Sequence, residues 1–203
     1  MDVQVLDPQT EPKFRDSPVE RESRFEEVWE GVVVMPPMPN NEHQDIQFKL
    51  LLPIAAAVEV PGIGCITAGV NISDRDDQWG HNFRGPDVVV YLNTNPAINH
   101  GTHWQGGPDF LAEIISPGEK PYAKFEFYAK VNTREVLIVK RDPWMIELFQ
   151  LKDGVLELAG RSDTEQPTIL VSSVLALTFQ LVAGRVRPQI EVTHPPSGKT
   201  WLA

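Results

Sequence analysis

Two acidic residues occupy positions where a carboxylate is unusual. Glu113 lies inside the apolar run FLAEII, and Asp87 opens the apolar run DVVVYL directly after Gly85-Pro86. Because burying an unpaired charge is costly, a carboxylate within an apolar strand must be paired, protonated or bound to a metal. If the two strands are neighbours, both carboxylates can converge. Two hard oxygen ligands with open positions suit Mg²⁺ or Mn²⁺. Such an ion would activate water and stabilise the transition state of a phosphoryl reaction.

Each of these residues also has a simpler interpretation. An Asp that follows proline at the start of a strand is typical of a turn residue or a cap. A Glu in the middle of a strand pairs with a buried Arg or Lys, or lies on a solvated edge. The residue types alone leave both interpretations open.

The first half of the chain predicts a hairpin, a helix and strands that lead to Asp87. Two β-prone runs flank Glu30-Gly31, which is a hairpin signal. Apolar residues at spacings of three and four predict a helix over residues 41–59, with Asn40 or Asn41 as N-cap and a kink or break at Pro53. A strand is predicted over 62–70, a polar loop or a ragged sheet edge over 71–85, and a strand over 87–92.

The second half of the chain predicts a further helix and several strands. We predict a long loop over 93–108, a strand over 109–115, a helix over 119–130 and a strand over 135–139. An alternating strand over 144–149 leads through the hairpin signal Asp153-Gly154 to a strand over 155–158. Further strands are predicted near 168–171 and 187–193, with an amphipathic stretch between them.

These elements predict an α/β fold. Because the runs at 87–92, 109–115 and 135–139 are apolar on both faces, other layers must cover both sides of their sheet. We expect a central mixed sheet flanked by helices, with an N-terminal hairpin and a C-terminal β extension. Residues 1–23 are predicted to form a flexible arm or one that wraps a partner subunit, and residues 24–203 a single domain.

Composition narrows the class of protein. No apolar run approaches the roughly 20 residues that span a bilayer, and residues 1–23 lack the apolar core of a signal peptide. Cys65 is the single cysteine. We therefore expect a cytoplasmic protein without membrane contact. The 18 basic and 28 acidic residues give a net charge of −10, which weighs against nucleic-acid binding, because such affinity comes largely from Lys and Arg at phosphates.

An ordered set of motifs resembles a known family. The motifs are EGVVVMPP at 30–37, Glu42-His43, GPDVVV at 85–90, PDFLAEIISP at 108–117, Lys124 with Tyr128, and REVLIV at 134–139. This ordered set resembles the Uma-type family of proposed restriction endonucleases, a domain of unknown function within the PD-(D/E)XK nuclease superfamily, which implies a restriction-endonuclease-like fold. The resemblance covers residues 25–150 and extends more weakly to 193.

The resemblance implies roles for four residues. Asp87 and Glu113 match the family's metal ligands. The superfamily's lysine would stand two residues after Glu113, where this chain has Ile115. In families of this type the lysine stands on the next helix instead, and Lys124, four residues before Tyr128, matches that position. Its implied role is to orient the attacking water or to stabilise developing charge. Glu42 or His43 would support the site. Taken alone, Lys124 is equally typical of a surface lysine, and His43 of a surface histidine at a helix start.

The implied function is a metal-dependent endonuclease that hydrolyses phosphodiester bonds, with DNA favoured over RNA as substrate and a homodimer as assembly. The chain departs from the family in a short segment over 118–123, with Lys120 where an Asp is common, and in Lys140, where an Asp commonly follows the strand. These departures and the acidic charge favour an alternative, a catalytically silent nuclease fold acting as a dimeric binding or regulatory module.

Other constellations carry weaker signals. His100 and His103 have the spacing of a metal pair, but their loop offers no Cys or carboxylate at zinc spacing, so a solvated loop is the favoured interpretation. The acidic residues at 74, 76 and 77 resemble a fragment of a calcium loop without its glycine and its final glutamate. Trp79 and Trp104 could stack on bases, although packing is their usual role.

Overall fold

The computed structural model describes the backbone of residues 3–5 together with residues 26–116 and 118–203. Its helices are α1 (Asn41–Val58) and α2 (Phe125–Lys130), and 3₁₀ turns span Trp79–His81 and Pro121–Lys124. Its strands are β1 (Val3–Val5), β2 (Glu27–Trp29), β3 (Val32–Met35), β4 (Gly64–Ala68), β5 (Ile72–Ser73), β6 (Phe83–Arg84), β7 (Val88–Leu92), β8 (Ile98–Asn99), β9 (Trp104–Gln105), β10 (Phe110–Ile114), β11 (Glu135–Arg141), β12 (Trp144–Lys152), β13 (Val155–Asp163), β14 (Leu170–Val171), β15 (Thr178–Val182), β16 (Gln189–His194) and β17 (Lys199–Leu202).

A six-stranded mixed sheet forms the centre of the fold. Its strand order is β13-β12-β11-β10-β7-β4. Strands β10 and β11 run parallel, and the other neighbours in this sheet are antiparallel. The apolar strands β7, β10 and β11 occupy its middle, as their sequences predict for strands that are buried on both faces. The predicted α/β fold with a central mixed sheet is confirmed.

The two faces of this sheet bury different partners, because side chains alternate along each strand. On one face, Val90 and Phe110 pack with Leu50 of α1 and with Phe179 of the C-terminal sheet, whose strand order is β14-β15-β16-β17. On the other face, residues of the same strands pack against α2; they include Val89, Leu111 and Ile138, with Phe127 and Tyr128 from the helix. The C-terminal β extension therefore joins α1 in covering this face, as the expectation of further layers on both sides of the sheet requires.

A further sheet forms where the sequence predicted loops. Its strand order is β1-β3-β2-β6-β5-β9-β8. Segment 71–85, predicted as a loop or a ragged edge, and segment 93–108, predicted as a loop, therefore both contain paired strands. These strands are two residues long, too short for an alternating pattern to identify them. The sheet extends the N-terminal hairpin and brings its first strand next to β6, which precedes Asp87 in the chain.

Helix α1 continues through Pro53, so of the predicted kink or break, the break is wrong. Asn40 is its N-cap and accepts a hydrogen bond from the backbone N–H of His43 at 2.9 Å. A proline inside a helix costs about 3 kcal/mol. Leu50 and Ile54, which flank Pro53, are fully buried, and burying each such side chain stabilises the fold by about 1.5–3 kcal/mol. Packing on both sides of Pro53 therefore outweighs the local preference.

Two other element predictions change in the structure. The segment predicted as a helix over 119–130 is helical only from Phe125, and Pro121–Lys124 form a 3₁₀ turn. Pro121 stands at the start of that turn and fixes the backbone there. The amphipathic stretch between the C-terminal strands contains strand β15, whose alternating burial follows the period of a strand.

Both hairpin signals are confirmed. Glu30 and Gly31 have φ of 46° and 88°, and Asp153 and Gly154 have φ of 49° and 79°. Two consecutive residues with positive φ match the tight turn whose twist suits antiparallel strands.

The predicted domain boundaries stay predictions. Most of the arm predicted over 1–23 lies outside the described residues, and the backbone of β1 pairs in parallel with β3. Among the helices that the structure describes, none combines the length and the apolar character needed to cross a membrane.

Truncating the buried face of α1 tests the packing. We expect Leu50→Ala to lower the free energy of unfolding by about 2–5 kcal/mol, because it leaves a cavity between two sheets. Phe48→Ala on the same helix, where the ring is 62% exposed, should change it by no more than about 0.5 kcal/mol. Urea unfolding measures both, and equal losses would contradict the layered core.

Candidate metal-binding active site

Glu113 is placed by the alternation of strand β10. It shares a face with Leu111, the face that packs against α2, and it is 6% exposed. The hydroxyl of Tyr128, on α2, donates a hydrogen bond to Glu113 Oε1 at 2.5 Å. The ammonium group of Lys124 lies 3.0 Å from the same oxygen. The helix after the strand therefore supplies the partners that a buried carboxylate needs.

Asp87 lies beside Glu113 because of the strand register. Val88 pairs with Ala112 across β7 and β10, and Asp87 and Glu113 are the next residues outward. Asp87 Oδ2 accepts a hydrogen bond from the backbone N–H of Ile114 at 2.7 Å. The predicted convergence of the two carboxylates on neighbouring strands is therefore what the structure has.

His43 on α1 is the second partner of Asp87. Its Nε2 lies 3.2 Å from Asp87 Oδ2, and its ring is buried, so the interpretation as a surface histidine is wrong. Gln47, one helical turn further, donates to the backbone carbonyl of Asp87 at 2.7 Å. The first helix thus fixes both the side chain and the backbone of Asp87.

Glu42 points to a different set of partners. Its carboxylate lies 3.2 Å from Arg141 and 3.7 Å from Arg187, and it is not among the residues that line the cleft described below. Of the adjacent pair singled out in the sequence, His43 is the one that reaches Asp87. The catalytic role predicted for Glu42 stays a prediction, without a contact to Asp87 or Glu113 among the described residues.

Lys124 is a buried lysine that bridges two carboxylates. Its side chain is 16% exposed, so the alternative of a plain surface lysine is wrong. Besides Glu113, its ammonium group contacts Glu27 Oε1 at 2.8 Å. The 3₁₀ turn that ends at Lys124 aims this side chain at the end of β10 from the side opposite to α1.

Glu27 is a site residue that the sequence analysis missed. It begins strand β2, is 3% exposed, and accepts hydrogen bonds from the backbone N–H of Gly85 at 2.9 Å and the indole of Trp29 at 2.8 Å. In the sequence it stands next to Glu26 and near Glu30 on a short, mixed strand, and nothing there separates it from a solvated edge residue. Its role depends on the pairing of β2 with β6.

Glu27 and Glu113 share one cation, Lys124, and their pKa values shift in opposite directions. Burial raises the pKa of Glu113 to about 7; Lys124 opposes this shift, and the negative charges of Asp87 and Glu27 add to it. Burial also acts to raise the pKa of Glu27, but the charge and hydrogen bond of Lys124 outweigh it and lower that pKa. Lys124 itself is held in its charged form. The site therefore carries more negative charge than its lysine neutralises.

These residues open into one cleft of about 320 Å³. Its lining combines the termini of the central strands with α1 and the hairpin. It includes Glu26, Glu27, His43, Gln47, Asp87, Glu113, Ile114, Ser116, Glu119 and Lys124. Of the departures from the family pattern, Lys140 lies outside this cleft and pairs with Glu147 at 3.0 Å. The segment 118–123 contributes Glu119 to the cleft lining, and Lys120 lines an adjoining cavity of about 240 Å³ that also contacts Glu113 and Lys124.

The donor set fits a hard divalent cation. Asp87 and Glu113 each keep a second carboxylate oxygen, Oδ1 and Oε2, for which no hydrogen-bond partner occurs among the described residues. Oxygens of this kind at the mouth of an acidic cleft are the ligands that Mg²⁺ and Mn²⁺ take, together with water. Lys124 and Tyr128 occupy the other oxygen of Glu113, so they fix the carboxylate without covering its free side.

The architecture is that of a restriction-endonuclease-like fold. The chain superposes on a crystal structure described as a "putative nuclease belonging to DUF820" from Anabaena variabilis. The TM-score is 0.58 and the identity 18%, over 74% of this chain and 83% of that chain.

The family itself is shown by the sequence. The chain belongs to the family described as "Uma2: Putative restriction endonuclease", whose model matches residues 12–184. The resemblance drawn from the ordered motifs is therefore confirmed. No curated protein matches the chain significantly.

Removing Lys124 tests its part in holding the two carboxylates. We expect Lys124→Met to lower the free energy of unfolding by about 3–5 kcal/mol, because Glu27 and Glu113 stay buried without their cation. The double variant with Glu27→Gln should recover part of the loss, with a coupling energy above about 1 kcal/mol.

Lys130→Met, on an exposed lysine of the same segment, is the matched control and should cost less than about 1 kcal/mol. Urea unfolding in the absence of divalent ions measures all four proteins. A Lys124 variant as stable as the control would contradict the buried bridge.

Proposed function

We propose that the protein is a metal-dependent endonuclease that hydrolyses phosphodiester bonds of nucleic acid, with DNA favoured over RNA. The observation that supports this most directly is the convergence of Asp87 and Glu113, from neighbouring strands, with Lys124 in one cleft. Membership of a nuclease family supports the reaction class.

Asp87 and Glu113 would hold Mg²⁺ or Mn²⁺ through their free oxygens. Once bound, such an ion supplies a Lewis acid that activates water and neutralises charge at the scissile phosphate. Tyr128 and Lys124 keep the Glu113 carboxylate in one orientation, and the Ile114 N–H does the same for Asp87. A ligand set that is fixed before binding loses little freedom on binding.

Lys124 would also act in catalysis, besides holding Glu113. Its ammonium group stands at the junction of Glu113 and Glu27 and faces the same cleft. From there it would orient the attacking water or stabilise the charge that develops on the phosphoryl oxygens. His43 would act through Asp87, as a positioning residue that keeps this carboxylate turned toward the cleft.

A second candidate function is a catalytically silent nuclease fold that serves as a dimeric binding or regulatory module. The acidity of the cleft favours it: the lining includes Glu26, Glu27, Asp87, Glu113 and Glu119 against Lys124. A polyanion is repelled by such a surface until cations neutralise it. Dimerisation and a cytoplasmic location are part of either proposal.

Metal titration separates the two candidates. We expect Mn²⁺ or Mg²⁺ to bind the wild type in calorimetry, and Asp87→Asn and Glu113→Gln each to weaken binding at least tenfold, since each removes a charged ligand. Glu157→Gln, on an exposed carboxylate of β13, is the matched control and should bind like the wild type. No binding by the wild type at millimolar metal would contradict the endonuclease and leave the silent module.

Plasmid nicking then tests the reaction itself. We expect metal-dependent nicking by the wild type and a loss of at least 100-fold in rate for Lys124→Gln, with metal binding retained, since losing a charge-stabilising donor costs about 2.7–4 kcal/mol. Cleavage that persists in the Asp87→Asn variant would place the reaction elsewhere.

A further inference from the structure

A second cluster of metal-binding side chains lies on the sheet that extends the N-terminal hairpin. One ligand atom each from Asp76, His100 and His103 lies within 4.8 Å of the others. Asp76 follows β5, and the two histidines flank the turn between β8 and β9. Because β5 and β9 pair in parallel, the pairing brings the carboxylate to the two imidazoles. None of the three lines the cleft at Asp87 and Glu113.

His103 supplies the observation that points to a ligand. Its side chain is 1% exposed, and its Nε2 has no hydrogen-bond partner among the described residues. That atom faces Asp76 Oδ1 at 3.9 Å. A buried polar atom without a partner costs about 1–3 kcal/mol. The prediction of a solvated loop is therefore wrong for His103, and the carboxylate that the loop lacked comes from the segment after β5.

His100 completes the arrangement from the exposed side. Its Nε2 lies 3.1 Å from the side-chain Oε1 of Gln105, and its Nδ1 lies 3.4 Å from Asp76 Oδ1. In the tautomer that donates from Nε2 to Gln105, the lone pair of Nδ1 is directed toward the Asp76 carboxylate, where a cation between them would be bound by both groups.

The residues around the cluster hold the rings as the outer shell of a metal site does. Gln105 contacts one imidazole, and the hydroxyl of Thr102 lies 3.1 Å from His103 Nδ1. The ring of Trp79 stacks on His103 at 4.7 Å. Hydrogen bonds to the outward nitrogens fix which nitrogen is free to bind.

The distances and donor types select the class of ion. Zn²⁺ binds nitrogen and carboxylate oxygen at about 2.0–2.2 Å in a tetrahedron, which separates its ligand atoms by about 3.4 Å. The His100–Asp76 distance already has this value, and the His103–Asp76 distance needs to close by about 0.5 Å. Two imidazoles and one carboxylate suit Zn²⁺ far better than Mg²⁺.

We propose that Asp76, His100 and His103 form a zinc site, distinct from the acidic cleft, with a fourth position open to solvent. The ion joins the segment after β5 to the β8–β9 hairpin, two parts of the sheet that are otherwise connected by strands of two residues. The site therefore stabilises the least regular part of the fold.

Zinc titration of the metal-free protein against a chromophoric chelator tests the site. We expect one Zn²⁺ to bind the wild type, and Asp76→Asn and His100→Gln each to weaken it at least tenfold. Asp77→Asn and His81→Gln, on exposed neighbours, should leave it unchanged. Bound Zn²⁺ should also raise the midpoint of thermal unfolding in the wild type and not in the two ligand variants.

The double variant Asp87→Asn/Glu113→Gln makes the outcome independent of the acidic cleft. It should keep the full zinc affinity, and Co²⁺ bound to it should show the visible absorption of a tetrahedral site. Absence of zinc binding by the wild type would overturn the proposal. So would binding that survives Asp76→Asn and His100→Gln, or binding that disappears in the cleft variant.

Discussion

The structure depends on how a charge is kept inside an apolar strand. Glu113 lies in the middle of the central sheet, where an unpaired carboxylate would cost several kcal/mol. Tyr128 and Lys124 meet this requirement, and both come from the short segment that follows the strand in the chain. Glu27 then satisfies the remaining side of Lys124. Helix α2 contacts this carboxylate through Tyr128, and the N-terminal hairpin reaches it through Glu27 and Lys124.

The layers on the two faces of the sheet hold different residues of the site. Helix α1 lies against one face and contacts Asp87 through His43 and Gln47. Segment 121–130 lies against the other face and contacts Glu113. The two candidate metal ligands are therefore each held by a different layer, and the register of β7 and β10 sets the distance between them. Side chains on regular elements, rather than on loops, give such a site its precision.

The sequence allowed much of the central sheet to be predicted, because its apolar strands and tight turns leave strong local signals. The same holds for Asp87 and Glu113, since a carboxylate beside or inside an apolar run is conspicuous. Glu27 and the strands of two residues could not be found in this way. The burial of Glu27 comes from contacts between segments more than 40 residues apart, as in the hydrogen bond from Gly85 to Glu27. The strands of two residues are too short for an alternating pattern to reveal them. Pro53 shows the opposite case. Its local preference predicted an interrupted helix, but the burial of neighbouring apolar side chains keeps the helix continuous.

Because the cleft has more acidic than basic residues, metal and nucleic acid would have to bind in a fixed order. Lys124 supplies one positive charge to a lining with five acidic residues, so the metal-free cleft attracts small cations and repels phosphates. Under the proposed function, the ion must arrive before the nucleic acid, and the concentration of free divalent metal then decides how often the substrate can enter at all. A protein of net charge −10 would therefore not bind nucleic acid while its cleft is free of metal. It would bind nucleic acid only while the cleft holds a divalent ion.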